Sequence, residues 1–137
     1  MQRVLFVCTG NSARSQMAEG YLRGRYGDRF EVESAGTEPS SVRPFAIRAM
    51  SEIGIDIGAQ RSKSIDELSG ASFNVVVTLC DHARETCPFF PGGGVREHRG
   101  FEDPGAAEGD DEQRLAVFRS VRNDITEWID QRFGEEQ

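Results

Sequence analysis

The pattern of apolar and polar positions along the chain predicts four strands. Residues 3–8, RVLFVC, form an apolar run typical of a buried strand. Residues 30–34, FEVES, alternate like a second, shorter strand, and the following AGTEPSS is predicted as a loop. Residues 73–79, FNVVVTL, carry three consecutive valines, which indicates a strand buried on both faces. Residues 95–98, VREH, predict a fourth, weaker strand.

Helical patterns lie between these strands and after the last one. Apolar residues recur at helical spacing in residues 15–26, and a helix over residues 44–54 places Ile53 on its apolar side. A short helix follows from about Asp81, and a long amphipathic helix begins at about Asp110. The apolar positions of that last helix are Leu115, Val117, Phe118, Val121, Ile125, Trp128, Ile129 and Phe133.

This alternation of strands and helices predicts an α/β fold with three layers, αβα, around a four-stranded parallel sheet. We expect one domain over residues 1–137, a length that suits a single domain. In open parallel sheets, ligands bind beyond the carboxyl ends of the strands. Cys8 and Cys80 each follow a predicted strand, so we expect both thiols at that edge.

Composition and charge narrow the range of partners. The net charge of −7 and the pI near 4.9 argue against binding to nucleic acid or to an acidic membrane, because both need a basic surface. Binding of a small anion remains compatible with this net charge, because a small-anion site depends on only a few nearby residues. No apolar run approaches the ~20 residues of a membrane helix, and VLFV is too short for a signal peptide. These patterns predict a cytoplasmic protein, and by default a monomer.

Three cysteines are an odd number for a disulfide framework, so catalytic or redox thiols are the better interpretation. The chain has only two histidines and lacks a C-x-x-C pair. A zinc site built from Cys80, Cys87 and His82 is therefore disfavoured, and we expect neither a metal nor a cofactor.

The loop after the first strand, CTGNSAR, combines a thiol, small polar residues and an arginine. A strand-to-helix loop presents backbone N–H groups and the positive end of the helix dipole. Gly10 allows a tight turn, Asn11 tolerates a left-handed conformation, and Arg14 suits bidentate contact with a tetrahedral oxyanion. The electrostatic field of these amides, of the helix dipole and of Arg14 also favours the thiolate form of Cys8. The spacing alone also fits a buried cysteine and a surface arginine that only share a turn.

The segment VLFVCTGNSARSQMAEG resembles the opening of the low-molecular-weight protein tyrosine phosphatase family, and specifically its thioredoxin-coupled arsenate reductase branch. ESAGTEP, the GIDI run before QRSKS, VVVTLCDHARETCP and HRGFEDP match in the same order, so the resemblance covers nearly the whole chain. It implies a low-molecular-weight phosphatase-like sheet with the flavodoxin-like strand order 2-1-3-4. It also implies arsenate as the substrate, with phosphate or sulfate as an analogue, and thioredoxin as the partner.

The resemblance further implies a role for each site residue. Cys8 is the nucleophile on arsenic, Arg14 binds the oxyanion, and Asp103 protonates the departing oxygen. The implied oxyanion-binding residues are Cys8, Thr9, Gly10, Asn11, Ser12, Ala13 and Arg14. The implied supports of the loop are Ser15, Glu19, Ser34 and Lys63. Many relatives have a cysteine at the position of Ala13, which the implied mechanism does not use, so we expect activity to survive this difference.

Cys80 is implied as the second thiol of a relay and Cys87 as the third. In a regular helix their separation by seven positions spans roughly 10 Å along the axis, whereas a disulfide needs Cα atoms within about 7 Å. We therefore predict that residues 80–87 are helical when reduced and loop out when Cys80 and Cys87 are oxidised.

Two departures from the family pattern carry predictions. Some relatives bind potassium through residues that match Asn11, Glu19, Ser34 and an aspartate, and the last position here is Lys63. We predict that the ammonium group of Lys63 takes the place of the cation near Glu19, so that activity does not depend on potassium.

The second departure concerns specificity. Phosphatases of this fold usually have aromatic residues after the Asp-Pro pair, but here Gly105, Ala106 and Ala107 follow. This disfavours a phosphotyrosine phosphatase, which remains the main alternative. A redox switch or oxyanion-binding module without catalysis is a third.

Overall fold

The computed structural model of the chain describes residues 1–134, so the last three residues of the predicted domain lie outside the described part. Four parallel strands form one sheet in the order β2-β1-β3-β4, which confirms the predicted order. The strands are β1 Gln2–Cys8, β2 Phe30–Gly36, β3 Val75–Thr78 and β4 Val95–His98. The helices are α1 Arg14–Tyr26, α2 Pro44–Ser51, α3 Asp81–Thr86 and α4 Asp111–Phe133. Two short 3-10 turns, Ile65–Leu68 and Pro104–Ala106, were not predicted.

The side chains of β1 alternate between two cores, because successive residues of a strand point to opposite faces. Phe6 and Cys8 belong to the larger core, which α1, α2 and α4 cover. Leu5 and Val7 belong to the smaller core, beneath α3 and the first 3-10 turn. The sheet thus lies between two helical layers, as predicted. All four residues of β3 are buried, in agreement with the prediction of a strand covered on both faces.

The helix ends follow local chemistry. The N-cap of α4 is Asp110, whose carboxylate accepts from the N–H of Gln113, while the side chain of Gln113 accepts from the N–H of Asp110. The prediction that α2 extends to residue 54 is wrong, because tight turns replace helical bonds after Ser51. Ile53 is rotated off the apolar face by these turns and is 40% exposed.

Two strand boundaries also differ from the prediction. β2 continues through Gly36, which pairs with Cys8 of β1 and forms an isolated bridge with Ser64. β3 is shorter than predicted: it ends at Thr78, so Cys80 lies just beyond it as the N-cap residue of α3. Within the described residues, no helix is long and apolar enough to cross a membrane.

Candidate active site

The loop of residues 9–13 leaves the end of β1 and enters α1, with Cys8 at its base. The neighbouring segment, residues 37–43, holds the outside of this loop. Four of its N–H groups donate to loop carbonyls: Thr37 to Cys8, Glu38 to Thr9, Ser40 to Gly10 and Arg43 to Ser12, at 2.8–3.2 Å. The amides of residues 9–14 donate no hydrogen bond to any other part of residues 1–134. The loop carbonyls are therefore bound on the outside, while its amide donors remain free for an anion.

Asn11 determines the shape of the loop. Its φ of 47° lies in the left-handed region, as its position in the sequence predicted. Its buried side chain donates to the hydroxyls of Ser15 and Ser34, at 2.8 and 2.9 Å, and accepts from the backbone N–H of Lys63 at 2.9 Å. All hydrogen-bonding groups of this amide are thus satisfied.

These contacts leave a hydroxyl hydrogen available to Cys8. Ser15 Oγ accepts from Asn11, so its own hydrogen is available to Cys8 Sγ, which lies 2.8 Å away. Ser34 likewise accepts from Asn11 and donates to the carboxylate of Glu19. The network therefore presents a hydroxyl donor to the buried sulfur, and such a donor stabilises a thiolate.

The predicted contact between Lys63 and Glu19 is wrong. The ammonium group of Lys63 pairs with Glu33 of β2 at 3.1 Å. The nearly buried carboxylate of Glu19 pairs instead with Arg23, one helical turn further along α1, at 2.6 Å. Lys63 supports the loop through its backbone N–H rather than through its charge.

Arg14 and Asp103 lie at the open side of the loop. The guanidinium of Arg14 donates to the carbonyl of Phe101 at 3.3 Å and lies 3.9 Å from the carboxylate of Asp103. The other carboxylate oxygen of Asp103 accepts from the N–H of Gly105 at 2.9 Å, which caps the second 3-10 turn. Asp103 is about half exposed, so its carboxyl group reaches both the site and water.

Cys80 lies beside the loop. Its Sγ is 3.3 Å from the hydroxyl of Thr9, the residue directly after Cys8. Cys80 is partly buried and contacts both hydrophobic cores at the edge where β1 and β3 end. The structure thus brings the second candidate thiol to the mouth of the anion loop, as the order of strands and cysteines predicted.

Cys87 lies at the other end of α3, as its C-cap residue. Burial raises the pKa of its thiol, although the nearby charge of Arg96 opposes this. Arg96 of β4 donates to the carbonyl of Cys87 at 2.7 Å and so fixes the end of the helix. All three cysteines are free, and the segment between Cys80 and Cys87 is helical, in agreement with the prediction for the reduced state.

Two histidines attach the first turn of α3 to its surroundings. His98 at the end of β4 contacts the carboxylate of Asp81 at 3.3 Å and the hydroxyl of Thr78 at 2.8 Å. His82 lies 3.5 Å from the carboxylate of Glu38. Across residues 1–134, histidine, cysteine and acidic side chains form no group of three that could hold a metal ion.

Sequence reasoning did not single out Gly36 as a site residue. A Cβ atom there would lie 2.6 Å from the carbonyl oxygen of Thr9 and 2.9 Å from the N–H nitrogen of Asn11. The glycine therefore lets β2 approach the loop closely. A glycine two residues beyond the predicted strand 30–34 was the available signal. The bonds from Ser62 and Gln16 to the carbonyl of Asn11 had no such signal, because they depend on tertiary contacts.

The fold and the cysteine loop define a family of proteins. Residues 3–136 match the low molecular weight phosphotyrosine protein phosphatase family, and the chain belongs to it. This confirms the family that the motifs indicated.

Individual relatives share one name. A protein of Halalkalibacterium halodurans named arsenate reductase is 52% identical over 122 residues, which span 89% of this chain and 88% of that protein. An arsenate reductase of Bacillus subtilis is 47% identical over 122 residues, with the same coverage of both chains. A solved structure described as an arsenate reductase in the phosphate binding state is 37% identical, with a TM-score of 0.77. It covers 96% of this chain and 95% of that chain.

Proposed function

We propose that the protein reduces arsenate to arsenite through Cys8, Cys80 and Cys87, and that thioredoxin regenerates it. One observation carries the proposal: a buried thiol at the base of a loop of free amides has a second thiol beside that loop. A phosphatase needs only the first of these thiols, whereas a two-electron reduction needs a partner for it. The shared name of the relatives supports the same substrate.

In the first step, the Cys8 thiolate attacks arsenic and forms a sulfur–arsenic bond. The amides of residues 9–14 and the guanidinium of Arg14 hold the arsenate oxygens as their charge redistributes. Asp103 gives a proton to the departing oxygen, which leaves as water. The hydroxyl of Ser15 lies 2.8 Å from the sulfur and can donate to the thiolate as it attacks.

In the second step, the Cys80 thiolate attacks Cys8 Sγ. A disulfide forms between the two residues, and the electron pair of the sulfur–arsenic bond passes to arsenic, which leaves as arsenite. The two thiols lose two electrons, and arsenic gains them. The position of Cys80, 3.3 Å from Thr9, supports this order of attack.

In the third step, Cys87 attacks the sulfur of Cys80 and releases Cys8 as a thiolate. This step requires α3 to unwind, because its two ends carry the reacting thiols. Burial, which raises the pKa of Cys87, keeps this thiol protonated and unreactive until the helix opens. The third thiol therefore acts last.

A dithiol protein such as thioredoxin then reduces the Cys80–Cys87 disulfide. Because this reduction of the disulfide requires a reducing compartment, we assign the reaction to the cytoplasm. All three thiols belong to one chain, so a monomer carries the complete relay. We also propose that residues 1–137 act as one catalytic domain.

The second candidate function is hydrolysis of phosphomonoesters, including phosphotyrosine. Membership of the phosphatase family favours it, because arsenate and phosphate share shape and charge. Gly105, Ala106 and Ala107 provide no aromatic surface against which a phosphotyrosine ring could stack.

The variant Cys80→Ser separates the two functions. Arsenate turnover is followed with thioredoxin, thioredoxin reductase and NADPH, and hydrolysis is followed with a chromogenic phosphomonoester. We expect Cys80→Ser to abolish multiple turnover of arsenate and to retain any hydrolysis. Cys8→Ser is the matched control and loses both. Wild-type protein that releases no arsenite with thioredoxin contradicts the proposal.

A further inference from the structure

Arg43 contacts the candidate site through both its backbone and its side chain. Its N–H donates to the carbonyl of Ser12 in the anion loop at 2.9 Å. Its guanidinium lies against Gly105, where a Cβ atom would be 2.7 Å from Nη2, 2.8 Å from Cζ and 3.1 Å from Nε. The N–H of Gly105 in turn donates to Asp103. Arg43 thus bridges the loop that holds Cys8 and the turn that holds Asp103.

The charge of Arg43 is not compensated. Its guanidinium makes no ion pair and no hydrogen bond with any residue that the structure describes, whereas Arg14 contacts both Phe101 and Asp103. The side chain is only partly exposed, so its charge is less screened by water than that of a fully exposed arginine. A cation with no partner, whose backbone is bound to the anion loop and whose guanidinium lies on the turn beside Asp103, is suited to a transient anion.

We propose that Arg43 is a second cation of the oxyanion site, which captures a tetrahedral dianion such as arsenate or phosphate from solution. The whole chain carries a charge of −7 and repels such ions, so a local cation raises their concentration at the loop. This assignment rests on the proposed binding of an oxyanion by residues 9–14. Arg14 then holds the anion during the reaction, while Arg43 contributes to its affinity.

Gly105 has a specific part in this arrangement. The three distances from its virtual Cβ to the guanidinium are nearly equal, so the flat face of that group covers the glycine. Gly105 has no positive φ, so alanine is compatible with the backbone. The variant Gly105→Ala therefore displaces the guanidinium of Arg43 without removing its charge or straining the chain.

The test measures the binding of inorganic phosphate without turnover. Reduced protein is treated with iodoacetamide at increasing phosphate concentration, and mass spectrometry of the Cys8 peptide gives an apparent Kd from its protection. The variants are Arg43→Gln, Gly105→Ala and the double variant. Arg48→Gln is the matched control, because it removes the same charge from α2 at a residue whose guanidinium lies over the ring of Phe45, away from the anion loop.

We expect Arg43→Gln to weaken phosphate binding about fivefold, as the loss of one partly screened ion pair does. Its affinity should also depend less on added sodium chloride. Gly105→Ala should weaken binding in the same direction, and the double variant should be no weaker than Arg43→Gln. Arg48→Gln should bind like the wild type. If Arg43→Gln does not fold, the result for Gly105→Ala decides.

The possible negative results have different meanings. Equal apparent Kd values in the wild type, Arg43→Gln and Gly105→Ala overturn the role of Arg43 and leave the oxyanion site intact. A loss of phosphate affinity in Arg48→Gln equal to that in Arg43→Gln has the same meaning. A wild-type protein whose Cys8 phosphate does not protect overturns the oxyanion site itself, and with it both proposals. A wild-type protein that binds phosphate but does not reduce arsenate contradicts the proposed reduction only.

Discussion

At the scale of single residues, the hydrogen bonds of Asn11 and Ser15 determine which donor reaches the sulfur of Cys8. The amide of Asn11 donates to the hydroxyls of both Ser15 and Ser34, and each hydroxyl keeps its own hydrogen for a further partner. Ser15 directs its donor to the sulfur and Ser34 directs its own to Glu19. A single buried amide, on a residue in the less common left-handed conformation, thus joins the hydroxyls that contact Cys8 and Glu19.

Replacing Ser15 by alanine tests this network. The variant loses the donor to the Cys8 thiolate, and hydrogen bonds to charged groups are among the stronger ones in proteins. We expect Cys8 to react with iodoacetamide about tenfold more slowly at neutral pH. Ser51→Ala, at the exposed end of α2, is the control. An unchanged alkylation rate of the Cys8 peptide in Ser15→Ala contradicts the proposed activation.

The charge beside Glu19 leads to a prediction about potassium. Arg23 already contacts this nearly buried carboxylate at 2.6 Å, so a bound cation is not needed to neutralise it. We expect equal rates of arsenate turnover in potassium chloride and sodium chloride at the same ionic strength. In Arg23→Ala, the uncompensated carboxylate should make the rate respond to potassium. A several-fold stimulation of the wild type by potassium would refute this interpretation.

At the scale of elements, α3 is the weakly held part of the site. It has six residues, of which only Ala83 is buried, and helices this short are unstable without tertiary contacts. Its ends are attached by polar contacts: Asp81 to His98 at the start and the carbonyl of Cys87 to Arg96 at the end. Such an element can unwind at small cost while the sheet and α4 stay folded.

Hydrogen exchange tests this separation. When Cys80 and Cys87 form a disulfide, the helix between them must open, because the bond is too short to span it. We expect the amides of residues 80–90 to exchange much faster in the oxidised protein than in the reduced protein. The amides of α4 should remain equally protected in both states and serve as the internal control. Similar protection of residues 80–90 in both redox states excludes the conformational change.

The sequence predicted the secondary-structure elements more completely than it predicted the contacts of the site. The four strands and four α-helices of residues 1–134 were predicted from local patterns, such as the cap Asp110 of α4, whereas the two 3-10 turns were not. Contacts between distant segments carry no local pattern. For that reason the pairing of Lys63 with Glu33, the extension of β2 to Gly36 and the packing of Arg43 on Gly105 required the structure. The cysteines and the anion loop were predictable, since their chemistry is confined to short segments.

At the scale of the whole molecule, a cluster of ion pairs joins α2 to α4 far from the thiols in sequence. The carboxylate of Glu52 accepts hydrogen bonds from Arg119 and from Arg122, which also donates to the carbonyl of Ala49. These bonds, chiefly those from Arg119, lower the pKa of Glu52 to about 2. α2 directly follows the segment that holds the anion loop, and this cluster attaches its carboxyl end to α4.

The lowered pKa predicts how stability depends on pH. A carboxyl group whose pKa falls on folding stabilises the folded state above its ordinary value, near 4.5, and this contribution disappears as the pH falls towards 2. Glu52→Gln should therefore be less stable than the wild type at pH 7, and the difference should shrink between these two pH values. Urea unfolding across this range measures it, with Glu127→Gln on the exposed side of α4 as the control. A difference that stays constant down to acid pH contradicts the assignment.

The central claim is that the three thiols act as one relay, and a single-turnover experiment tests it most directly. Reduced protein receives a stoichiometric amount of arsenate without oxygen or thioredoxin, the reaction is stopped by alkylation, and mass spectrometry maps the cysteines. We predict that arsenite is released, that Cys80 and Cys87 are joined by a disulfide, and that Cys8 is alkylated. In Cys87→Ser the disulfide should instead join Cys8 and Cys80. Arsenite released without a disulfide, or three alkylated cysteines and no arsenite, would contradict the relay.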